Sequence, residues 1–270
     1  METNKKTVNP CWPEFSRPSK ELISKLQGGP FGAALAKGEK EYNELIDTLR
    51  RERLTRPVIF VGAGTCGLGA GAAKTIEAIK EYLKNRKVEA DIVETGCIGF
   101  CSEEPIVDVK MPGRTRISYG NVTAQEVQKV FDNIWNGRLD GAHLIGQFRG
   151  NENEKPWQGA IYMDEHPFMR LQRRVVLAGS GIIDPSNIDE YIARGGYSAM
   201  AWALKNKTPI EICDIVEASG LRGRGGGGFP TGKKWKFALK ETATQKYLVC
   251  NADEGDPGAF MDRAVGESDP

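Results

Sequence analysis

Four consecutive glycines, Gly225 to Gly228, with Gly223 just upstream and only Arg224 between, are incompatible with a helix or a ladder strand between Leu221 and Phe229. Glycine adopts positive φ readily, so a run this dense belongs to a loop whose backbone bends sharply and comes close to a ligand. Successive N–H groups in such a loop converge on an anion. Arg222, Arg224, Lys233 and Lys234 add positive charge at the same place. Downstream, Tyr247-Leu-Val-Cys250 reads as a short apolar strand running into Asn251, Asp253, Glu254 and Asp256. Those side chains suit the edges of a heterocycle or the hydroxyls of a ribityl or ribose. Gly227-x4-Gly232-Lys233 falls short of the nucleotide phosphate loop, because Lys234 stands where the Mg²⁺-binding Ser or Thr belongs and no apolar strand precedes it. The interleaved Arg222, Phe229, Pro230 and Trp235 argue against a flexible linker.

The first half of the chain carries a second chemistry. Pro57-Val-Ile-Phe-Val61 has the pattern of a buried strand and leads into Gly62-Ala-Gly-Thr-Cys-Gly67. A helix follows, with an apolar face through Ala73, Ile76, Ile79, Tyr82 and Leu83, and then a second strand, Ala90-Asp-Ile-Val93. Taken alone, that order resembles a dinucleotide fingerprint. The second strand ends instead in Thr95-Gly-Cys-Ile-Gly-Phe-Cys101, where two thiolates on a glycine-containing loop suit an iron–sulfur cluster. A hairpin over Ile106–Val109 and Arg116–Tyr119 comes next, followed by a helix from about Thr123 to Trp135, capped by Thr123-Ala-Gln-Glu126. Strand, helix, strand, strand, strand, helix is a thioredoxin-like order.

The motif Gly220-Leu-Arg-Gly-Arg-Gly-Gly-x-Gly-Phe-Pro-Thr-Gly-x-Lys-Trp235, followed by Asn251-Ala-Asp-Glu-x-x-Pro-Gly-x-Phe-x-Asp-Arg263, resembles the FMN- and NADH-binding flavoprotein subunit of respiratory complex I. It looks still more like the soluble relatives that serve NAD-dependent hydrogenases, formate dehydrogenases and electron-bifurcating complexes. The first half resembles the thioredoxin-like [2Fe-2S] ferredoxin domain that many of those relatives carry. The implied fold class is α/β, a thioredoxin-like ferredoxin domain followed by the N-terminal part of an α/β FMN-binding domain. The implied activity is hydride transfer between NADH and FMN, with single electrons leaving through [2Fe-2S] and [4Fe-4S] clusters and bifurcation as a further option.

By matched position, the resemblance implies that Gly223, Arg224, Gly225 and Gly226 border the flavin and dinucleotide, that Phe229 offers a ring for stacking and that Lys234 offers charge to FMN. Asn251, Asp253 and Asp256 are implied to hydrogen-bond the flavin, and Glu254 to face the nicotinamide as the catalytic residue. Asp256 stands where the respiratory subunits usually have Glu. Cys66, Cys97 and Cys101 are the implied metal ligands. Gly62 occupies the family's first cysteine position, so the fourth ligand is open between Cys11, a non-cysteine group and a lost cluster. The family continues past residue 270, and a [4Fe-4S] site is expected in that further part. Other oxidoreductase subunits are the implied partners: a thioredoxin-like [2Fe-2S] subunit and an iron–sulfur electron-transfer subunit, with ferredoxin as a further option.

A chain of 270 residues with 40% apolar and 27% charged residues has material for two modest cores. Its net charge of +1 gives no general attraction to nucleic acid or an anionic membrane. Six irregularly spaced cysteines without a signal-peptide pattern point to cluster ligands or buried thiols, and a cytoplasmic location is expected. The expected organisation is a helical extension over 1–55, a ferredoxin-type domain over 56–136, a Gly- and Asn-rich linker over 137–160 and the first part of the flavin domain over 161–270. Within that last part, Arg174–Ala178 reads as a strand, and 186–193, 197–205 and 211–219 read as helices, with Cys213 buried on the last.

Overall fold

In the computed structural model, residues 11–26 and 28–270 are described, so the first ten residues of the expected helical extension lie outside them. Among the described residues, two compact units result: residues 11–16, 43–191 and 252–270 form one, and residues 17–26, 28–42 and 192–251 the other. The extension is therefore divided. Its helices α1 (Lys20–Ile23) and α2 (Gly29–Lys37) fall in the second unit, whereas α3 (Glu39–Leu49) reaches into the first, where Ile46 is buried.

The first unit is built on a five-stranded sheet in the order β2-β1-β3-β4-β5. β1 (Val58–Gly62) pairs parallel with β2 (Asp91–Thr95) and antiparallel with β3 (Val107–Lys110), which pairs antiparallel with β4 (Ile117–Tyr119). This order and these directions are those of a thioredoxin-like sheet, and the antiparallel β3 beside β1 excludes a dinucleotide-binding parallel sheet. All five residues of β1 are buried, as expected for a central strand covered on both faces. Ile59 and Val61 meet α5 (Ala72–Arg86) and α6 (Val127–Trp135) in the main core, while Val58 and Phe60 join Val93 on the opposite face. α6 contributes Val127, Val130, Phe131 and Ile134, the i, i+3, i+4, i+7 stripe of an amphipathic helix. α4 (Thr65–Ala70) precedes α5 and is separated from it by Gly71 at φ 107°.

Three sequence expectations fail in this unit. Residues 137–160 are no linker: β5 (Leu144–Gln147) pairs with β4, and Trp157 lies in the main core. A four-residue strand surrounded by Gly and Asn has too little periodicity to stand out in the sequence. Thr123–Glu126 forms a turn closed by the Glu126 N–H donating to the Thr123 carbonyl at 2.9 Å, and the helix starts only at Val127 with no side-chain cap. Residues 174–178 form no strand. Arg174 is buried and its main-chain N–H donates to the Cys11 carbonyl at 3.1 Å, while Val175 and Val176 are exposed.

In the second unit, α8 (Ser198–Asn206), α9 (Pro209–Ala218) and α10 (Thr231–Lys240) follow α7 (Ile188–Ala193), which spans the boundary between the units. Thr208 caps α9 in a reciprocal box with Glu211, and Cys213 is buried on that helix as expected. α10 packs on α9 through Gly232, where a Cβ would come within 2.4 Å of the Glu217 main-chain nitrogen. Lys236 reinforces the pair with Asp214 at 2.6 Å and Glu217 at 2.5 Å. Gly232→Ala is expected to cost this unit about 1–3 kcal/mol by overpacking, read as a lower urea midpoint; an unchanged midpoint would show that the helices separate freely. Tyr247–Cys250 is exposed and unpaired in any ladder, so the expected strand is absent. Among the described residues, no helix is long and apolar enough to cross a membrane. α11 (Met261–Ser268) ends the chain within the first unit.

Candidate functional site

The cysteines meet because β1 and β2 are parallel. Their register sets Gly62 opposite Thr95, so the loops leaving both strands start at the same edge of the sheet. Cys66 sits in the first turn of α4, whose N-cap is Gly64, and Cys97 follows β2 with only Gly96 between. Gly99, at φ 86°, turns the 97–101 loop back so that its N–H donates to the Cys97 sulfur at 3.2 Å. Cys101 begins a short 3-10 turn over Cys101–Glu103. The Cys97 and Cys101 sulfurs are 3.6 Å apart, and the three sulfurs of Cys66, Cys97 and Cys101 lie within 4.8 Å of one another.

Burial pushes the thiols of Cys66 and Cys97 up. The Arg263 guanidinium lies 3.7 Å from the Cys66 sulfur and opposes that rise. Three convergent sulfurs with a main-chain N–H aimed at one of them fit an iron–sulfur centre.

Cys11 does not join them. It is buried beside Trp12, Ile98 and Met169, and burial raises its thiol while Arg174 pulls it down. Arg174 occupies this region with its guanidinium, donating to the Ile98 carbonyl at 2.9 Å. Cys11 lies in an apolar cluster, outside the group of three sulfurs that converge within 4.8 Å.

The glycine loop lies in the second unit. Gly226 and Gly228 take φ of 98° and 56°, the positive values that a side chain would resist. The loop closes where the Gly223 N–H donates to the Phe229 carbonyl at 2.8 Å and the Thr231 N–H to the Leu221 carbonyl at 2.9 Å. Gly223, Arg224, Gly225, Gly226, Phe229 and Lys234 are all exposed, and the loop delivers the chain directly to the N-terminus of α10. Asn251 also belongs to this unit, whereas Asp253, Glu254 and Asp256 belong to the first.

Glu254 has a structural role that the sequence did not disclose. Its two carboxylate oxygens accept the N–H groups of Asp262 and Arg263 at 3.0 and 3.2 Å, at the start of α11. Desolvation pushes this carboxyl up, but the N–H groups of Asp262, Arg263 and Met261 hold it below the ordinary carboxylate range. The same helix returns to the cysteine edge, where Glu267 accepts the Thr65 N–H at 2.9 Å.

Residues 216–270 match the sequence family described as the Nuo51 FMN-binding domain. Over 101 residues the chain is 60% identical to the NADP-reducing hydrogenase subunit HndC of Solidesulfovibrio fructosivorans, covering 37% of this chain and 20% of that protein. Over 84 residues it is 57% identical to a subunit of the NADH-quinone oxidoreductase of Aquifex aeolicus, covering 31% and 19%. The matched stretch thus spans about a fifth of these curated relatives' length. Among solved structures, a thioredoxin-like [2Fe-2S] ferredoxin from Aquifex aeolicus aligns with 37% of this chain and 98% of its own at 18% identity and a TM-score of 0.31. The resemblance carried by the glycine and acidic motifs therefore stands: over residues 216–270, this chain is similar in sequence to the FMN-binding domain of the family of complex I flavoprotein subunits.

Proposed function

We propose that this chain is part of the flavoprotein subunit of a multi-subunit NADH oxidoreductase. The observation that carries the reading is the sequence match over 216–270, which spans the glycine loop and the acidic segment together. Bound FMN would supply the hydride chemistry, and the protein orientation and electrostatics. In the second unit, the main chain of Gly223, Gly225 and Gly226 would approach the cofactor, Arg224 and Lys234 would counter its phosphate charge and Phe229 would offer a stacking face. Asn251 would hydrogen-bond the flavin. In the first unit, Asp253 and Asp256 would hydrogen-bond the flavin, and Glu254 would act towards the nicotinamide while capping α11. The thioredoxin-like unit would hold an iron–sulfur centre on Cys66, Cys97 and Cys101 and pass single electrons. Partner iron–sulfur subunits, a cytoplasmic location and electron bifurcation belong to the same proposal.

The natural protein, isolated with whatever copurifies, is expected to show a flavin absorption band that bleaches on adding NADH. Lys234→Ala is expected to weaken FMN binding about tenfold, equivalent to about 1.4 kcal/mol. A protein that takes up no flavin and does not respond to NADH or NADPH would sink this reading and leave the cysteine-bearing unit as a redox relay or docking module.

A further inference from the structure

The cysteine edge holds one more donor that the motifs did not single out. Gly62, the last residue of β1, stands where the family places a thiol, and the space in front of it is filled from elsewhere. A Cβ on Gly62 would meet Glu104 Oε2 at 2.6 Å and Oε1 at 3.0 Å. The Glu104 carboxylate therefore occupies the place into which a side chain at 62 would project. A Cβ on Gly67, next to Cys66 on α4, would strike the Gly62 main-chain carbonyl first and would also lie 3.2 Å from the same Oε2. Glu104 is 6% exposed, and its Oε2 accepts the Ile106 N–H at 2.8 Å. Its carboxylate and the Cys97 thiol are close enough to act on each other electrostatically.

One main-chain N–H does not offset the removal of a carboxylate from water. Three sulfurs, in turn, leave a [2Fe-2S] centre one protein ligand short. Carboxylate oxygen is an ordinary donor to iron, harder than thiolate. We propose that Glu104 is the fourth protein ligand of the iron–sulfur centre held by Cys66, Cys97 and Cys101, supplying through space the donor that Gly62 lacks. The proposal rests on the reading of the three cysteines as cluster ligands. On binding, two ferric irons and two sulfides are taken up, each thiol releases one proton as its sulfur joins iron, and no electron is transferred in that step.

The test uses the full chain reconstituted anaerobically with ferric iron and sulfide, so that the diferric centre forms without an oxidant. The wild type is expected to retain a cluster whose two irons are inequivalent by Mössbauer spectroscopy, one of them carrying an oxygen ligand. Glu104→Gln is expected to lower the iron and sulfide retained after gel filtration to below about a tenth of wild type, the low end of what even an outer-shell change costs a metal site. Gly62→Cys combined with Glu104→Ala is expected to restore retention, now with equivalent irons and the electron paramagnetic resonance of an all-sulfur ligand set. Wild-type irons that are already equivalent, or a Glu104→Gln protein with full iron and an unchanged spectrum, would overturn the assignment of Glu104 while leaving the cluster intact. A wild type that takes up no iron, or holds only zinc, would instead overturn the cluster reading and this proposal with it. The Mössbauer arm needs no variant, so the test survives a Glu104→Gln chain that fails to fold.

Discussion

Arg116→Leu is expected to destabilise the sheet-bearing unit by about 3–5 kcal/mol, the cost of leaving one member of a buried ion pair alone. Arg116 is 8% exposed and sits just before β4, where its Nε donates to Asp108 Oδ2 at 2.8 Å. Its Nη2 donates to the Gly181 carbonyl at 2.6 Å. The guanidinium lies 3.6 Å from the centre of the Phe60 ring, and the Phe148 ring faces it at 4.8 Å. Burial pulls the Arg116 pKa down, and the Asp108 carboxylate is what keeps the charge in place. With leucine there, Asp108, itself 5% exposed, has lost its counter-charge. Urea unfolding followed by circular dichroism reads the effect, and the double variant Arg116→Leu/Asp108→Leu is expected to recover much of the loss because neither charge of the pair is then left buried alone. A double variant no more stable than the single one would show that packing, and not the orphaned charge, sets the cost.

The second large effect is expected at Trp157. Trp157→Ala should cost about 3–5 kcal/mol, as for other buried aromatic truncations. The ring is 2% exposed and part of the main core, with the Arg114 guanidinium 3.7 Å from its centre. Its indole N–H donates to the Thr115 carbonyl at 2.9 Å. Its main-chain N–H donates to Gln147 Oε1 at 2.8 Å, and the Gln147 amide donates back to its carbonyl at 3.0 Å. Gln147 is the last residue of β5, so the loss should appear first as faster amide exchange in that strand and its pairing with β4. Trp157→Phe is expected to keep most of the packing and lose the bond to Thr115, costing about 1–3 kcal/mol. Protection in β5 that survives Trp157→Ala would show that the strand does not depend on this side chain.

The apolar run of β1, the stripe of α6 and the hairpin of β3 and β4 are legible in the sequence because each is a period carried by neighbouring residues. Trp157 and Gln147 are not. Their bonds join residues that no period connects, in a stretch whose glycines and asparagines look like a connection. The opposite error occurs at Val175-Val176 and Tyr247–Cys250, where apolar residues suggest strands but lie exposed without ladder partners. Thr123-Ala-Gln-Glu126 has the letters of a cap and forms a turn ahead of the helix.

The sequence by itself determined the glycine loop, the acidic segment and the spacing of Cys97 and Cys101, because each is a short pattern whose chemistry is read within a few residues. Tertiary structure alone decided that Cys66 comes within 4.8 Å of that pair, that Cys11 does not, and that Glu104 fills the space in front of Gly62. The physical reason is the parallel pairing of β1 and β2: it levels the ends of two strands about thirty residues apart in the chain and brings their following loops to one edge, a consequence of sheet register that no local period encodes.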